Sequence, residues 1–199
     1  MMIPKMKRSF FTACYTSIAL LIMVSGCEGN YTPKPHGYFR FDLPEKHYRV
    51  FDTTYPYKFE YPVYGEVTMP QNVGAAEPYW INIVIPKYNA TIYVSYKKVT
   101  GNLPVLFEDT YQLVYKHTVK ADAITDQPFV NTDKHVYGFL YELSGNTATA
   151  VQFYVTDSIR NFIRGSLYFY AEPNKDSLFP LINYFKEDIQ HIMETLQWK

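Results

Sequence analysis

The sequence predicts an α+β domain, a single antiparallel β-sheet flanked by helices in an α/β/α sandwich. Three observations carry this reading. Several runs alternate apolar and polar residues with period two, two stretches place apolar residues three or four apart, and short turn-like links join the later runs. The order is strands, helix, three strands, helix.

The first segment predicts export. Lys5, Lys7 and Arg8 precede an apolar run from Ile18 to Val24, the build of a secretory signal over residues 1–26. Val24-Ser25-Gly26-Cys27 reads as a lipobox, with small residues for a signal peptidase and a thiol that takes a lipid, so Cys27 is the expected lipidation site and new N-terminus. The apolar run falls well short of the roughly 20 residues a membrane-spanning helix requires.

Residues 27–37 are polar with two prolines and predict a lipidated N-terminus and tether. Residues 38–199 are expected to form one domain, entered through the aromatic-rich stretch 38–52. After Pro56, Tyr57, Phe59 and Tyr61 alternate with Lys58 and Glu60, predicting a half-buried strand. Ile81, Ile83 and Ile85, then Ile92, Val94 and Tyr96, flank the turn-like Pro86 to Asn89 and predict an antiparallel hairpin. From Leu103 to Ala123 the period changes. Phe107, Tyr111, Val114 and Thr118 predict a helix capped by Asn102, with Glu108 and Asp109 early and Lys116, His117 and Lys120 late, as the helix dipole favours.

Three further alternating runs, at 135–143, 147–156 and 162–171, predict an antiparallel meander through Ser144-Gly145-Asn146 and Asp157 to Asn161. Finally, Leu178, Leu181, Ile182, Phe185, Ile189, Ile192, Met193 and Leu196 trace an apolar helical stripe begun at Asp176-Ser177, with Pro180 in the first turn. This element order resembles the PsbP and Mog1 sandwiches, including a closing helix that ends in an aromatic, here Trp198. The likeness is one of topology and carries no function.

Removing 26 of 199 residues leaves 173, enough for one core. The signal takes three of 19 cations, so 16 remain against 19 acids, a balance of −3 that gives no attraction to nucleic acid. Cys14 leaves with the signal and Cys27 is acylated, so the exported domain relies on packing without disulfides. The full chain's 20 tyrosines outnumber its 14 phenylalanines, which favours rings that pack yet keep a polar tip.

Chemistry is sparse. His36, His47, His117, His135 and His191 are scattered without metal-ligand spacing. Arg164-Gly165-Ser166-Leu167 lacks the second glycine of a nucleophile elbow, and no glycine loop leads into a lysine and hydroxyl pair. No enzyme, cofactor or metal site is expected. His117 and Lys120, three apart, are the best polar pair, although a solvated helix end explains them as well. Thr156 to Asn161 reads as a turn in which Asp157 and Ser158 hydrogen-bond the backbone. Tyr137, Tyr141, Phe153, Tyr168, Phe169 and Tyr170 are either cross-strand pairs under helices or a platform for a partner.

Seven collinear segments span the mature chain: PKPHGYFRFDLPEKHY (33–48), FEYP (59–62), IYVSYK (92–97), LVYKHTVKAD (113–122), QFYVTDS (152–158), RGSLYFY (164–170) and METLQWK (193–199). In these the chain resembles the gliding-motility lipoprotein family GldD of Bacteroidota. The resemblance implies a membrane-anchored accessory lipoprotein needed for gliding and linked to type IX protein secretion. Other envelope proteins of that apparatus are then its partners, and no small-molecule substrate is expected. The speculative interaction surface comprises His117, Lys120, Tyr137, Tyr141, Tyr168 and Tyr170. The alternative is a periplasmic glycan- or peptidoglycan-binding module, and an enzyme acting around His117 and Lys120 stands last. Only Glu28 precedes Lys34, without the acidic run often found on surface-displayed lipoproteins of that phylum. The expected location is therefore the periplasmic face of the outer membrane.

Overall fold

The computed structural model describes residues 41–70 and 77–199. The signal over 1–26, the lipidation site Cys27 and the tether over 27–37 lie outside the described residues.

The aromatic alternation after Pro56 forms strand β2 (Tyr57–Pro62), with Tyr57, Phe59 and Tyr61 buried. Its two edges are taken by β1 (Tyr48–Phe51) and by the C-terminal β10 (Gln197–Trp198), both antiparallel. These three strands make a small sheet. The isoleucine runs form the predicted hairpin, β4 (Ile81–Ile85) and β5 (Ala90–Lys98), joined by a 3-10 turn over Pro86–Tyr88 with Asn89 left-handed at φ 47°. The later runs form β7 (Val136–Gly145), β8 (Thr149–Thr156) and β9 (Asn161–Phe169), the predicted meander. With β3 (Glu66–Thr68) and β6 (Ala121–Asn131) they build a second sheet of seven strands, ordered β3-β4-β5-β9-β8-β7-β6.

The expectation of one antiparallel sheet flanked by helices is therefore corrected. The domain is mostly β, with two sheets and, among the described residues, two α-helices. Period-two alternation reports that one face of a strand is buried, and it is silent about which strands are its neighbours. Here β2 lies across the core from the large sheet, and the Tyr57 ring stands 5.9 Å from that of Tyr96 on β5.

Helix α1 (Leu103–Tyr115) is shorter than predicted. It stops before His117, residues 116–120 turn, and β6 begins at Ala121. The charge order expected for a longer helix is lost, because neither the first turn of α1 carries an acid nor the last turn a base. Asn102 precedes the helix, but its side chain accepts from Thr100 N at 2.9 Å instead of capping. β6 lacks alternation because it is a mostly exposed edge strand, paired among the described residues with β7 alone. Its Pro128 is tolerated there, since an edge strand has donors to spare.

Helix α2 (Lys175–Thr195) starts on Asn174, whose Oδ1 accepts from Ser177 N at 3.1 Å, so the cap lies just ahead of the expected Asp176-Ser177. It buries Leu181, Phe185, Ile189, Ile192 and Met193. The helix ends at Thr195, so Trp198 does not close it. That residue pairs with Tyr57 in the small sheet, and its Nε1 donates to His135 O at 3.0 Å.

α2 and the small sheet share one face of the large sheet, and the main core lies between. α1 takes the opposite face through two smaller clusters, Leu106 with Val99 and Phe162, and Val114 with Tyr141 and Leu143. Core packing requires a glycine at position 165. Gly165 on β9 faces Phe153 on β8, whose ring occupies the space a Cβ would take, with an approach of 2.2 Å.

Candidate functional site

Across the α1 face of the large sheet runs one continuous row of paired residues, Thr68, Asn82, Tyr93, Ser166, Gln152, Tyr141 and Asp126. Alternation makes it polar and aromatic, because the intervening positions, such as Ile83, Ile92, Leu167 and Phe153, fill the main core. α1 covers this face over β7, β8 and β9. Over β4 and β5, Pro70, Trp80, Asn82, Tyr93, Ser95, Arg164 and Ser166 instead line an open depression of about 290 Å³.

Arg164 pairs with Ser95 on one side and Tyr154 on the other. Its Nη2 donates to Gln152 Oε1, while its enclosed Nε has no partner among the described residues. Gln152 is buried, and its Nε2 also lacks a partner. Burial holds the guanidinium below its usual pKa. Trp80 Nε1 is held by Tyr96 O at 2.9 Å, and Ser95 Oγ donates to Arg164 O at 3.1 Å, so the walls are fixed by the backbone.

Only part of the expected surface gathers here. Tyr168 lies beside Tyr93 with rings edge to face at 5.5 Å, and the Tyr170 hydroxyl meets that of Tyr93. Tyr141 is buried beneath α1 with Val114, and Tyr137, paired with Thr156, stands at the other end of the face. His117 is partly buried just past α1. Burial first, then Lys116 and Arg164, lower its pKa, so it favours the neutral form near Arg164. Lys120 is exposed on the turn into β6, so it shares no helix face with His117. Cys27 lies outside the described residues.

The family profile described as gliding motility lipoprotein GldD matches residues 28–198. The chain belongs to the GldD family. Members are lipid-anchored proteins of the cell envelope with an accessory role in gliding motility, which accords with the resemblance carried by the seven sequence segments. No curated protein matches the chain. Among solved structures it is similar to cyanobacterial PsbP (CyanoP) from Synechocystis, with TM-score 0.47 and 10% identity over 81% of this chain and 98% of that one.

In this GldD-family chain the polar clusters away from the depression are structural. Asp188 is fully buried on α2 and accepts from Lys46 Nζ at 2.7 Å, Tyr64 OH at 2.5 Å and Tyr48 OH at 3.0 Å. His191 stacks on Tyr48 at 3.6 Å and meets Glu60 at 2.7 Å. Asp157 Oδ1 accepts from the backbone of Ile159, Arg160 and Asn161, the turn role expected of it. Ser158 joins that turn through its backbone, where Ser158 N donates to Thr156 Oγ1. Among the described residues no helix is long and apolar enough to cross a membrane, and no group of three or more His, Cys, Asp or Glu is placed to hold a metal.

Sequence reasoning missed Arg164, Gln152, Trp80, Asn82 and Ser95. The signal was faint. Arg164 occupies an outward position of an alternating strand, where a solvated cation is the ordinary reading. The enclosure of its Nε, and the lack of a facing acid among the described residues, follow only from β8 and β5 on either side.

Proposed function

We propose that this protein is a non-enzymatic accessory lipoprotein that holds envelope proteins of the gliding and type IX secretion apparatus through direct protein contacts. In this reading Cys27 anchors it at the periplasmic face of the outer membrane. The family match starting at residue 28, directly after Cys27, supports the anchor. The type IX link rests on the family resemblance alone.

The observation that carries the contact reading lies on α1. The helix seats Leu106, Thr110 and Val114 on the sheet, yet Val105 remains 58% and Tyr111 52% exposed on its outward side. Tyr111 also stacks on Tyr115 at 4.2 Å, which presents a stiff aromatic pair. A helix that has already buried one apolar stripe gains little within the fold from further exposed apolar side chains, and exposed aromatics of this kind mark interfaces.

The test is crosslinking in living cells from a photoreactive residue at position 111. The expected result is a discrete adduct with an envelope protein, lost in a Val105→Asp background. Spreading and export of type IX cargo should fall together while protein level holds. An absence of adducts with unimpaired spreading in Val105→Asp/Tyr111→Asp cells would sink the reading. Protease treatment of intact cells tests the orientation, and digestion of the protein would exclude the periplasmic face.

A further inference from the structure

Among the described residues Arg164 is a cation without an anion. A guanidinium presents five N–H donors, and Gln152 Oε1 is the acceptor this one finds among the described residues. Its Nε and the neighbouring Gln152 Nε2 are enclosed and unmatched. No acid lines the depression among the described residues, and Glu77 is paired with Lys97, whose Nζ lies 5.3 Å from the centre of the Trp80 ring. A half-buried guanidinium with an enclosed, unmatched Nε and no facing acid among the described residues is costly to keep in a fold and calls for a reason.

We propose that the depression beside Arg164 binds an acidic sugar, its carboxylate on the guanidinium and its ring against Trp80 and Tyr93. At about 290 Å³ the space is near the lower end of small-ligand sites. Two aromatic walls suit the apolar face of a pyranose. Asn82, Ser95 and Ser166 offer the amide and hydroxyl groups that ring hydroxyls require, and Ser166 is held nearly buried in the row. Charge selects the class of ligand. With Lys97 paired and His117 favouring its neutral form, the site carries one net positive charge, which a monoanionic carboxylate balances and a phosphate dianion exceeds. The ligand is retained and not converted, since no nucleophile and base pair lines the depression. This site is separate from the outward side of α1, so it neither needs nor weakens the docking reading.

The experiment uses the full-length protein in detergent, read by tryptophan fluorescence and calorimetry. Glucuronic acid and N-acetylmuramic acid are titrated against glucose, N-acetylglucosamine, acetate and inorganic phosphate. The acidic sugars are expected to bind saturably, and their neutral counterparts about tenfold or more weakly, since one charge-assisted contact is lost. Arg164→Gln should erase the difference between acidic and neutral sugars, while Asn82→Ala should weaken both. The proposal is overturned if neutral sugars bind as tightly as acidic ones, or if acetate or phosphate matches the sugar acids, which would mark an adventitious anion site only. Absence of saturable binding by either acidic sugar overturns it too. Should Arg164→Gln fail to fold, the preference for acid over neutral sugar and the Asn82→Ala effect still decide.

Discussion

Lys46 Nζ lies 2.7 Å from Asp188 Oδ1, joining the stretch before β1 to the middle of α2 across most of the domain's sequence. Asp188 is 0% exposed, and the hydroxyls of Tyr48 and Tyr64 complete its ring of donors. Lys46 also reaches Tyr184 O and stands 3.4 Å from the centre of the Tyr184 ring. Burial lowers its pKa while Asp188 opposes the shift. The cluster closes the first strand of the domain onto its last helix.

Lys46→Met should therefore cost about 3 kcal/mol, because it strands a buried carboxylate with hydroxyl partners alone. Adding Asp188→Asn to it should restore part of the loss by removing the charge. Urea unfolding measures both, and a Lys46→Met effect below about 0.5 kcal/mol would show that the tyrosines alone compensate Asp188.

Stability should fall steeply in alkali. Burial first pushes Tyr141 up to about 12, and the hydrogen bond to Tyr170 leads the rise of Tyr93 to about 12. Burial raises Tyr57 and Tyr64 further. The fold holds these phenols protonated, whereas the unfolded chain releases their protons near the ordinary phenol value of 10.0. Their contribution is thus present in full below pH 10 and is lost as pH rises toward 12, and the largest share comes from the buried Tyr57 and Tyr141, because solvent screens the exposed Tyr93 contact. Lys46, a base held below its usual value, acts in the opposite sense over part of this window but is a single group. Thermal melts from pH 8 to 12 test the sign, and flat melting temperatures above pH 10 would contradict it.

Gly165→Ala should destabilise by about 2–3 kcal/mol, since its Cβ would meet the Phe153 ring, backed by the core. Phe153→Leu should relieve the clash, so the double variant should be less destabilised than the sum of the singles. Strict additivity in denaturant titrations would show that Phe153 is not what Gly165 accommodates.

Asp157→Ala should cost about 1–2 kcal/mol by leaving the turn's backbone donors without their acceptor. Burial raises the Asp157 pKa, but the backbone N–H groups of Asn161, Arg160 and Ile159 together outweigh it and the net shift is downward. Its stabilisation is therefore present above the ordinary value of 3.8 and is lost as pH falls through the lowered one. Asp157→Ala should accordingly flatten the acid limb of the stability curve, and an unchanged limb would assign acid unfolding to other carboxylates.

Much of this architecture is legible along the chain. Alternation in Ile81 to Ile85, Ile92 to Tyr96 and the three later runs determined the hairpin and the meander, and the stripe from Leu178 to Leu196 determined α2, because both periodicities are local consequences of backbone geometry. The collinear segments from Pro33 to Lys199 were enough to indicate the family. Tertiary structure alone decided that β2 belongs to a second sheet, that α1 yields to β6 at residue 121, and that Trp198 is a strand residue. It also decided that Asp188 is satisfied by residues from Lys46 to Tyr64 while Arg164 faces Gln152 and, among the described residues, no acid. Strand neighbours and charge compensation depend on residues far apart in sequence, and no periodicity within a segment records them.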